Sequence, residues 1–125
     1  MQQFRDAIES RDLDAVSALL ADDVVFRSPV VYASYEGRAQ VIALLHAVSQ
    51  VFEGFRYARQ IDDAPDHALV FQARVGDREV EGCDFIHVNS DGLIDELYVM
   101  CRPMSGLMAL ADAMKRQLAA KSGTA

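Results

Sequence analysis

The sequence predicts an α+β domain in which a curved antiparallel sheet wraps a long helix and a C-terminal helix closes the structure. Three observations predict it. Helical periodicity dominates the first fifty or so residues, strand-like runs fill the next fifty, and a helical stripe returns after Pro103. Helices segregated from a run of antiparallel strands define the α+β class. Asp91-Gly92 between two apolar runs supplies the hairpin signal that makes neighbouring strands antiparallel. The 125 residues are 51% hydrophobic, enough for one domain with one core, taken here as residues 1–121 with a frayed tail over 122–125.

Phe4 and Ile8 share a helical face at i,i+4, and that helix stops near Ser10-Arg11. Asp12 caps a second helix with Leu13, Val16, Leu19 and Leu20 on one stripe. Ala21-Asp22-Asp23 reads as a turn, and Val24-Val25-Phe26-Arg27-Ser28 as a short strand ended by Pro29. Val30 to Glu36 is an extended loop holding Tyr32 and Tyr35. Gly37 opens the strongest helix, with Val41, Leu44, Leu45, Val48 and Phe52 at three- and four-residue spacing, and Gly54 ends it. Three strands follow, about Phe55–Ile61, Ala68–Val75 and Glu79–Val88. They are broken by Asp62-Asp63-Ala64-Pro65-Asp66 and by Gly76-Asp77. Asn89-Ser90-Asp91-Gly92 turns into a last strand, Leu93–Cys101. Pro103 then starts a helix with Leu107, Leu110, Ala111, Met114 and Leu118 on one face; Lys115, Arg116 and Lys121 suit its C-terminal dipole end.

The hairpin fixes which residues share a face. A two- or four-residue turn around Ser90-Asp91 pairs even positions of one strand with odd positions of the next. Asp84, Ile86 and Val88 then lie with Leu97, Val99 and Cys101 on the inner face. Cys83, Phe85 and His87 lie with Tyr98 and Met100 on the other. Both faces are largely apolar, whereas a sheet with one wet face alternates more cleanly. A second copy of the chain covering the outer face is the economical expectation, which makes the protein a homodimer. On this register Cys83 and Cys101 lie on opposite faces and form no disulfide.

Nineteen acids against twelve bases give a net charge of −7, which argues against nucleic acid as a partner. The acids are scattered, and the charge reads as solubility. No apolar run approaches the roughly 20 residues of a membrane span. The first residues carry no secretory signal, and two cysteines make a poor disulfide framework, so a reduced cytoplasmic setting is expected. No two of His46, His67 and His87 have metal-ligand spacing, and there is no Gly-rich phosphate loop. No metal or other cofactor is therefore expected. His46 lies roughly 140° from the apolar centre of its helix and should be exposed.

Asp84 stands alone in the apolar run Gly82-Cys83-Asp84-Phe85-Ile86-His87-Val88. A buried carboxylate without a partner costs several kcal/mol or takes up a proton. No Lys or Arg shares its strand face. Asp84 is therefore either a structural carboxylate bonded to a tyrosine hydroxyl or backbone amide, or an acid lining a ligand cavity with a carboxyl pKa above its ordinary value. Candidate lining residues are Phe4, Phe26, Ser28, Tyr32, Tyr57, Phe71, Ala73, Ile86, Leu97, Val99 and Cys101. Tyr32, Tyr35 and Tyr57 are each possible hydrogen-bond donors, although packing explains any one tyrosine more simply. Arg102, between the last strand and helix, is placed to bridge to an acid.

The run Asp12-Leu13-Asp14, Leu20-Ala21-Asp22-Asp23-Val24-Val25-Phe26, Pro29-Val30 and Glu36-Gly37-Arg38 resembles the SnoaL-like branch of the nuclear transport factor two-like superfamily. Cys83-Asp84-Phe85, Asp91-Gly92-Leu93-Ile94 and Arg102-Pro103 add to the resemblance, which spans nearly the whole chain. It implies a cone-shaped roll with a deep apolar pocket and often a sheet-mediated dimer. Members include steroid isomerases, polyketide cyclases, epoxide hydrolases, dehydratases and proteins without known activity. Against the steroid isomerases, the oxyanion-hole aspartate matches Asp84. The place of their catalytic base is Ser28, and that of their oxyanion tyrosine is Phe4. The Asp–Arg–Asp arrangement of the limonene epoxide hydrolases is absent, with its last-strand aspartate falling near Val99. A SnoaL-type cyclase, which needs little more than one positioned aspartate, stays possible.

These readings converge on a protein that binds a small apolar organic molecule. Its chemistry, if it is an enzyme, is a cofactor-independent isomerisation, cyclisation or dehydration with Asp84 as acid or base, and not steroid isomerisation. The alternative is a non-catalytic ligand-binding or accessory domain of the same fold.

Overall fold

The apolar stripe of α1 (Gln2–Glu9) buries Phe4 and Ala7, and the helix ends where Arg11 turns into the left-handed region at φ 59°. α2 (Leu13–Leu19) starts as expected, with the Asp12 carboxylate accepting from the Ala15 amide at 3.1 Å. In this computed structural model the described residues are 1–123, with side-chain surroundings described for residues 1–119. The remaining elements are β1 (Leu20–Arg27), β2 (Tyr35–Glu36), α3 (Arg38–Val51), β3 (Glu53–Asp63), β4 (Asp66–Val75), β5 (Arg78–Val88), β6 (Ile94–Arg102) and α4 (Met104–Gly123). The expected fraying of residues 122–125 falls largely outside the described residues.

One curved six-stranded sheet runs in the order β2-β1-β6-β5-β4-β3. Its pairings are antiparallel except β1 with β6, which is parallel and corrects the all-antiparallel expectation. Register shifts in the β1–β6, β3–β4 and β5–β6 pairings mark the bulges that bend it. The concave face carries Leu69, Phe71, Ala73 and Val75 of β4, Val80 and Ile86 of β5, and Leu97 of β6, all buried. α3 packs Val41, Leu44 and Ala47 into the same core, and α4 adds Leu110 and Met114. Leu118, expected on that face, is exposed.

Three local expectations are corrected. Ala21-Asp22-Asp23 is not a turn but the start of β1, shifted in register between Leu20 and Val25. Asp22 and Asp23 face solvent there while Leu20, Ala21 and Val24 are buried. Gly54 does not end α3; the helix ends at Phe52, and Gly54 sits inside β3 at φ 61°. A glycine in a strand marks an irregularity of this kind. The β3–β4 connection is only Ala64-Pro65, because the flanking acids stay extended and Asp62 bonds His67 at 2.7 Å.

The β5–β6 register agrees with the face assignment: Asp84 lies opposite Val99, Ile86 opposite Leu97, Cys83 opposite Met100 and Phe85 opposite Tyr98. Cys83 and Cys101 are free. Gly82 matters for the interior. A Cβ there would lie 2.2 Å from the Phe71 ring, so only glycine lets that ring lie across β5.

Candidate functional site

A cavity of about 120 Å³ opens between α1, α3, α4 and the concave face. Its depth is aromatic. Phe55 stacks on Phe71 at 5.0 Å, Phe52 lies 5.7 Å from Phe71, and Tyr57 meets Phe55 edge-on at 5.0 Å. Among the described lining residues the polar groups are few: Arg11, Ser28, Ser49, Tyr57, Cys101 and Asp84, which is the one carboxylate.

β5 carries Asp84 between buried Gly82 and Ile86, so its side chain points to the concave side. Asp84 is half-buried, and the surface it keeps open is part of the cavity wall. Tyr57 Oη donates to Asp84 Oδ2 at 2.7 Å, and Oδ1 has no hydrogen-bond partner among the described residues. Loss of hydration pushes the Asp84 carboxyl up to about 6, against the smaller lowering from the Tyr57 bond. Burial first, and the Asp84 charge second, hold the Tyr57 phenol well above its ordinary range. Burial, with Asp84 adding to it, pushes the Cys101 thiol to about 12, which leaves it protonated and unreactive.

Tyr57 is held from behind by α1. Glu9 Oε2 accepts from the Tyr57 amide at 3.0 Å, Arg5 donates to the Tyr57 carbonyl at 3.1 Å, and Arg5 and Glu9 pair at 3.7 Å. Both halves of the Tyr57 peptide environment are thereby tied to one helix face, which fixes where the phenol meets Asp84.

Of the expected lining residues, Phe4, Phe26, Ser28, Tyr57, Phe71, Leu97, Val99 and Cys101 surround the cavity with Asp84. Three do not. Tyr32 is fully exposed at 103%. Ala73 and Ile86 are buried against the core and do not reach the cavity. Ser28 lines the wall, but its Oγ accepts from the Val30 and Val31 amides at 3.0 and 3.4 Å. Sequence reasoning missed Arg11, which carried no signal, and assigned Leu44, Leu45, Val48 and Phe52 to the core stripe although they also face the cavity. His46 is exposed, His67 bonds Asp62 and His87 bonds Asp95 at 2.6 Å. No group of three metal-ligating side chains occurs among the described residues.

The pH dependence of stability follows from Asp84. Its folded value lies above the ordinary 3.8, so the folded state holds the proton more tightly than the unfolded state. Its favourable contribution is complete below the unfolded value and is lost as pH rises through about 6. At about 1.4 kcal/mol per pH unit between the two values, the loss is about 3 kcal/mol. Asp84→Asn keeps an acceptor for Tyr57 and removes the charge. Denaturant titrations should show the variant more stable than wild type at pH 7.5 and no more stable at pH 4. A variant less stable at pH 7.5 would mean that the ionised carboxylate is stabilised by a donor beyond Tyr57.

Residues 1–97 match the family model of the SnoaL-like domain. A search of curated proteins found no match. Among solved structures, the chain is similar to a steroid delta-isomerase from Pseudomonas aeruginosa at 43% identity and TM-score 0.92, over 98% of this chain and 90% of that one. It is similar to a protein with a cystatin-like fold from Silicibacter pomeroyi at 39% identity and TM-score 0.89, over 93% and 82% of the two chains. A nuclear transport factor two-like protein of unknown function from Mesorhizobium loti shares the fold at 21% identity and TM-score 0.73, over 82% and 88%.

Proposed function

The chain belongs to the SnoaL-like domain family of the nuclear transport factor two-like superfamily, and from that premise we propose that it binds a small apolar organic molecule and moves a proton on it with Asp84. One observation carries the reading. A desolvated carboxyl with a value of about 6 opens on an otherwise apolar cavity, with a tyrosine hydroxyl 2.7 Å away. A group that titrates near neutrality suits both proton removal and proton return. Near pH 7 the carboxylate form predominates. Oδ1 takes a proton from a carbon beside a carbonyl, and the C–H electron pair passes into the enolate. The same carboxyl then returns the proton at another carbon, so atoms and charge balance without a cofactor. Tyr57 holds Oδ2 throughout, and its hydrogen bond offsets part of the cost of desolvating the carboxylate.

The test is proton–deuterium exchange followed by NMR in D₂O, using small cyclic enones and β,γ-unsaturated ketones as carbon acids. Exchange or double-bond migration above the buffer rate supports the reading. Wild-type rates equal to buffer across the panel would favour the second reading, a ligand-binding domain without chemistry. One observation favours that second reading: the cavity wall holds one carboxylate and no further acid among the described residues.

The partner reading is a second copy of the chain. Phe85, Tyr98 and Met100 are 44, 39 and 52% exposed at the centre of the convex face, beside Cys83 and His87. Ion pairs ring this patch, with Arg102–Glu81 at 2.5 Å, Arg27–Glu96 at 3.0 Å and His87–Asp95 at 2.6 Å. An apolar centre within a charged rim is the anatomy of a protein interface. Light scattering at micromolar concentration should give a dimer, and Phe85→Asp with Tyr98→Asp should give monomers or insoluble protein. A wild-type monomer would sink the idea. No helix among the described residues is long and apolar enough to cross a membrane, and a cytoplasmic setting is part of this reading.

A further inference from the structure

Arg11 is the one cation among the described residues that line the cavity. It is exposed whereas Asp84 is half-buried and bonded to the buried Tyr57, so the arginine stands at the mouth and the carboxyl in the depth. Its backbone is unusual. The Asp12 amide bonds the Ala7 carbonyl at 2.9 Å and the Arg11 amide bonds the Ile8 carbonyl at 3.1 Å, closing α1 with residue 11 in the left-handed position. That position favours glycine, because a Cβ crowds the following carbonyl oxygen there. The chain places arginine there, the one positive-φ residue other than glycine among the described residues. The guanidinium makes one hydrogen bond, Nη2 to the Phe52 carbonyl at 3.4 Å, and among the described residues no carboxylate pairs with it. The other arginines of the N-terminal third, Arg5, Arg27 and Arg38, are each paired with an acid.

We propose that the cavity takes an apolar monocarboxylate, with the hydrocarbon body inside and the carboxylate at the mouth on Arg11. This rests on the reading of the cavity as a ligand site. The two charges orient such a molecule. Ionised Asp84 repels an anionic head from the depth, and the Arg11 fork receives it at the rim with unused donors. The interior is apolar and small. A dry cavity of comparable size, about 150 Å³, holds a single benzene ring. The ligand class is therefore a compact aromatic or alicyclic acid, with the atom that meets Asp84 at the far end from the carboxylate. The background charge of −7 makes a free guanidinium at the entrance more telling, since without it an anion meets only repulsion.

The probe pair is 4-phenylbutyrate and 4-phenylbutan-1-ol, titrated by calorimetry into the full chain at pH 7.5. The acid should bind about tenfold tighter than the alcohol in wild type, and added salt should weaken the acid alone. Arg11→Gly and Arg11→Met should bind both compounds equally. Arg11→Gly should also melt at or above the wild-type temperature, because glycine relieves the left-handed strain. The proposal is overturned if the alcohol binds wild type as well as the acid, or if either variant keeps the preference. It is also overturned if Arg11→Gly melts lower with the preference intact, which assigns Arg11 to tethering α1 to the end of α3. Equal binding of acid and alcohol overturns this proposal and leaves the pocket standing. Binding of neither at millimolar concentration overturns both.

Discussion

Asp84→Asn is expected to keep its ligand and to lose proton transfer by 10²- to 10⁴-fold, the usual contribution of a positioned general acid or base. The amide has the shape of the carboxyl and still accepts from Tyr57 Oη, so the aromatic wall formed by Phe55, Tyr57 and Phe71 need not move. What it lacks is a lone pair able to take a proton near neutrality. The expected result is a fall in turnover with little change in the concentration that half-saturates. The pH profile gives an independent reading. Wild-type exchange should rise with pH through about 6 as Asp84 ionises and then level off. Tyr57→Phe should move that rise to higher pH, because the Tyr57 hydrogen bond is what lowers the Asp84 value against desolvation. A variant Asp84→Asn within tenfold of wild type would place the proton-transfer group elsewhere and leave Asp84 as a structural acceptor.

Asp84 was legible in the sequence because two local signals fix it. Asp91-Gly92 sets the hairpin, and a period of two then assigns every side chain of β5 and β6 to a face. Its partner was not legible in the same way. Tyr57 lies on β3, whose pairing with β4 shifts register twice, between Glu53 and Arg56 and between Tyr57 and Arg59. Each shift breaks the alternation from which a face is read. The same reasoning explains Ala73 and Ile86. Both lie on the concave face as their alternation requires, but the sheet is curved, and a concave residue can meet the helices rather than the cavity. Tyr32 failed because an irregular loop carries no periodicity. Arg11 was invisible because a left-handed helix end usually announces itself by glycine or asparagine, and this one does not. The cone itself needed long-range information: β1 runs parallel to β6 across more than seventy residues of chain, a pairing no local pattern encodes.

Isomerisation of a β,γ-unsaturated 3-oxosteroid is expected to be slow, despite the name carried by the Pseudomonas aeruginosa relative. That reaction needs a base over the ring and donors at the enolate oxygen. Ser28 and Phe4, the positions that correspond to the base and a donor in the steroid isomerases, do line the cavity, so their side chains are where the chemistry would need them. Phe4 donates nothing. The Ser28 oxygen is engaged by the Val30 and Val31 amides, and among the described residues no imidazole and no carboxylate other than Asp84 lines the cavity; Asp84 is bonded to Tyr57 and not to Ser28, so nothing makes the serine a base. The neighbouring candidates are removed too, since Tyr32 is fully exposed and Asp22 is 91% exposed and paired with Arg38 at 2.5 Å. Asp84 must then serve as base, and it cannot at the same time be the protonated donor; the one hydroxyl proton of Tyr57 is already given to Asp84 Oδ2 and does not serve the enolate oxygen. Loss of a separate base costs 10² to 10⁴ in rate, and loss of an oxyanion donor costs 10² to 10³. Size acts in the same direction: a cavity of about 120 Å³, floored by Phe52, Phe55 and Phe71, admits one ring far more readily than four. A spectrophotometric assay of conjugation decides it. Turnover near that of a dedicated isomerase would require the cavity to open and Asp84 alone to carry the proton between carbons. Asp84→Asn would then abolish steroid turnover, and the steroid, rather than a compact acid, would be the ligand.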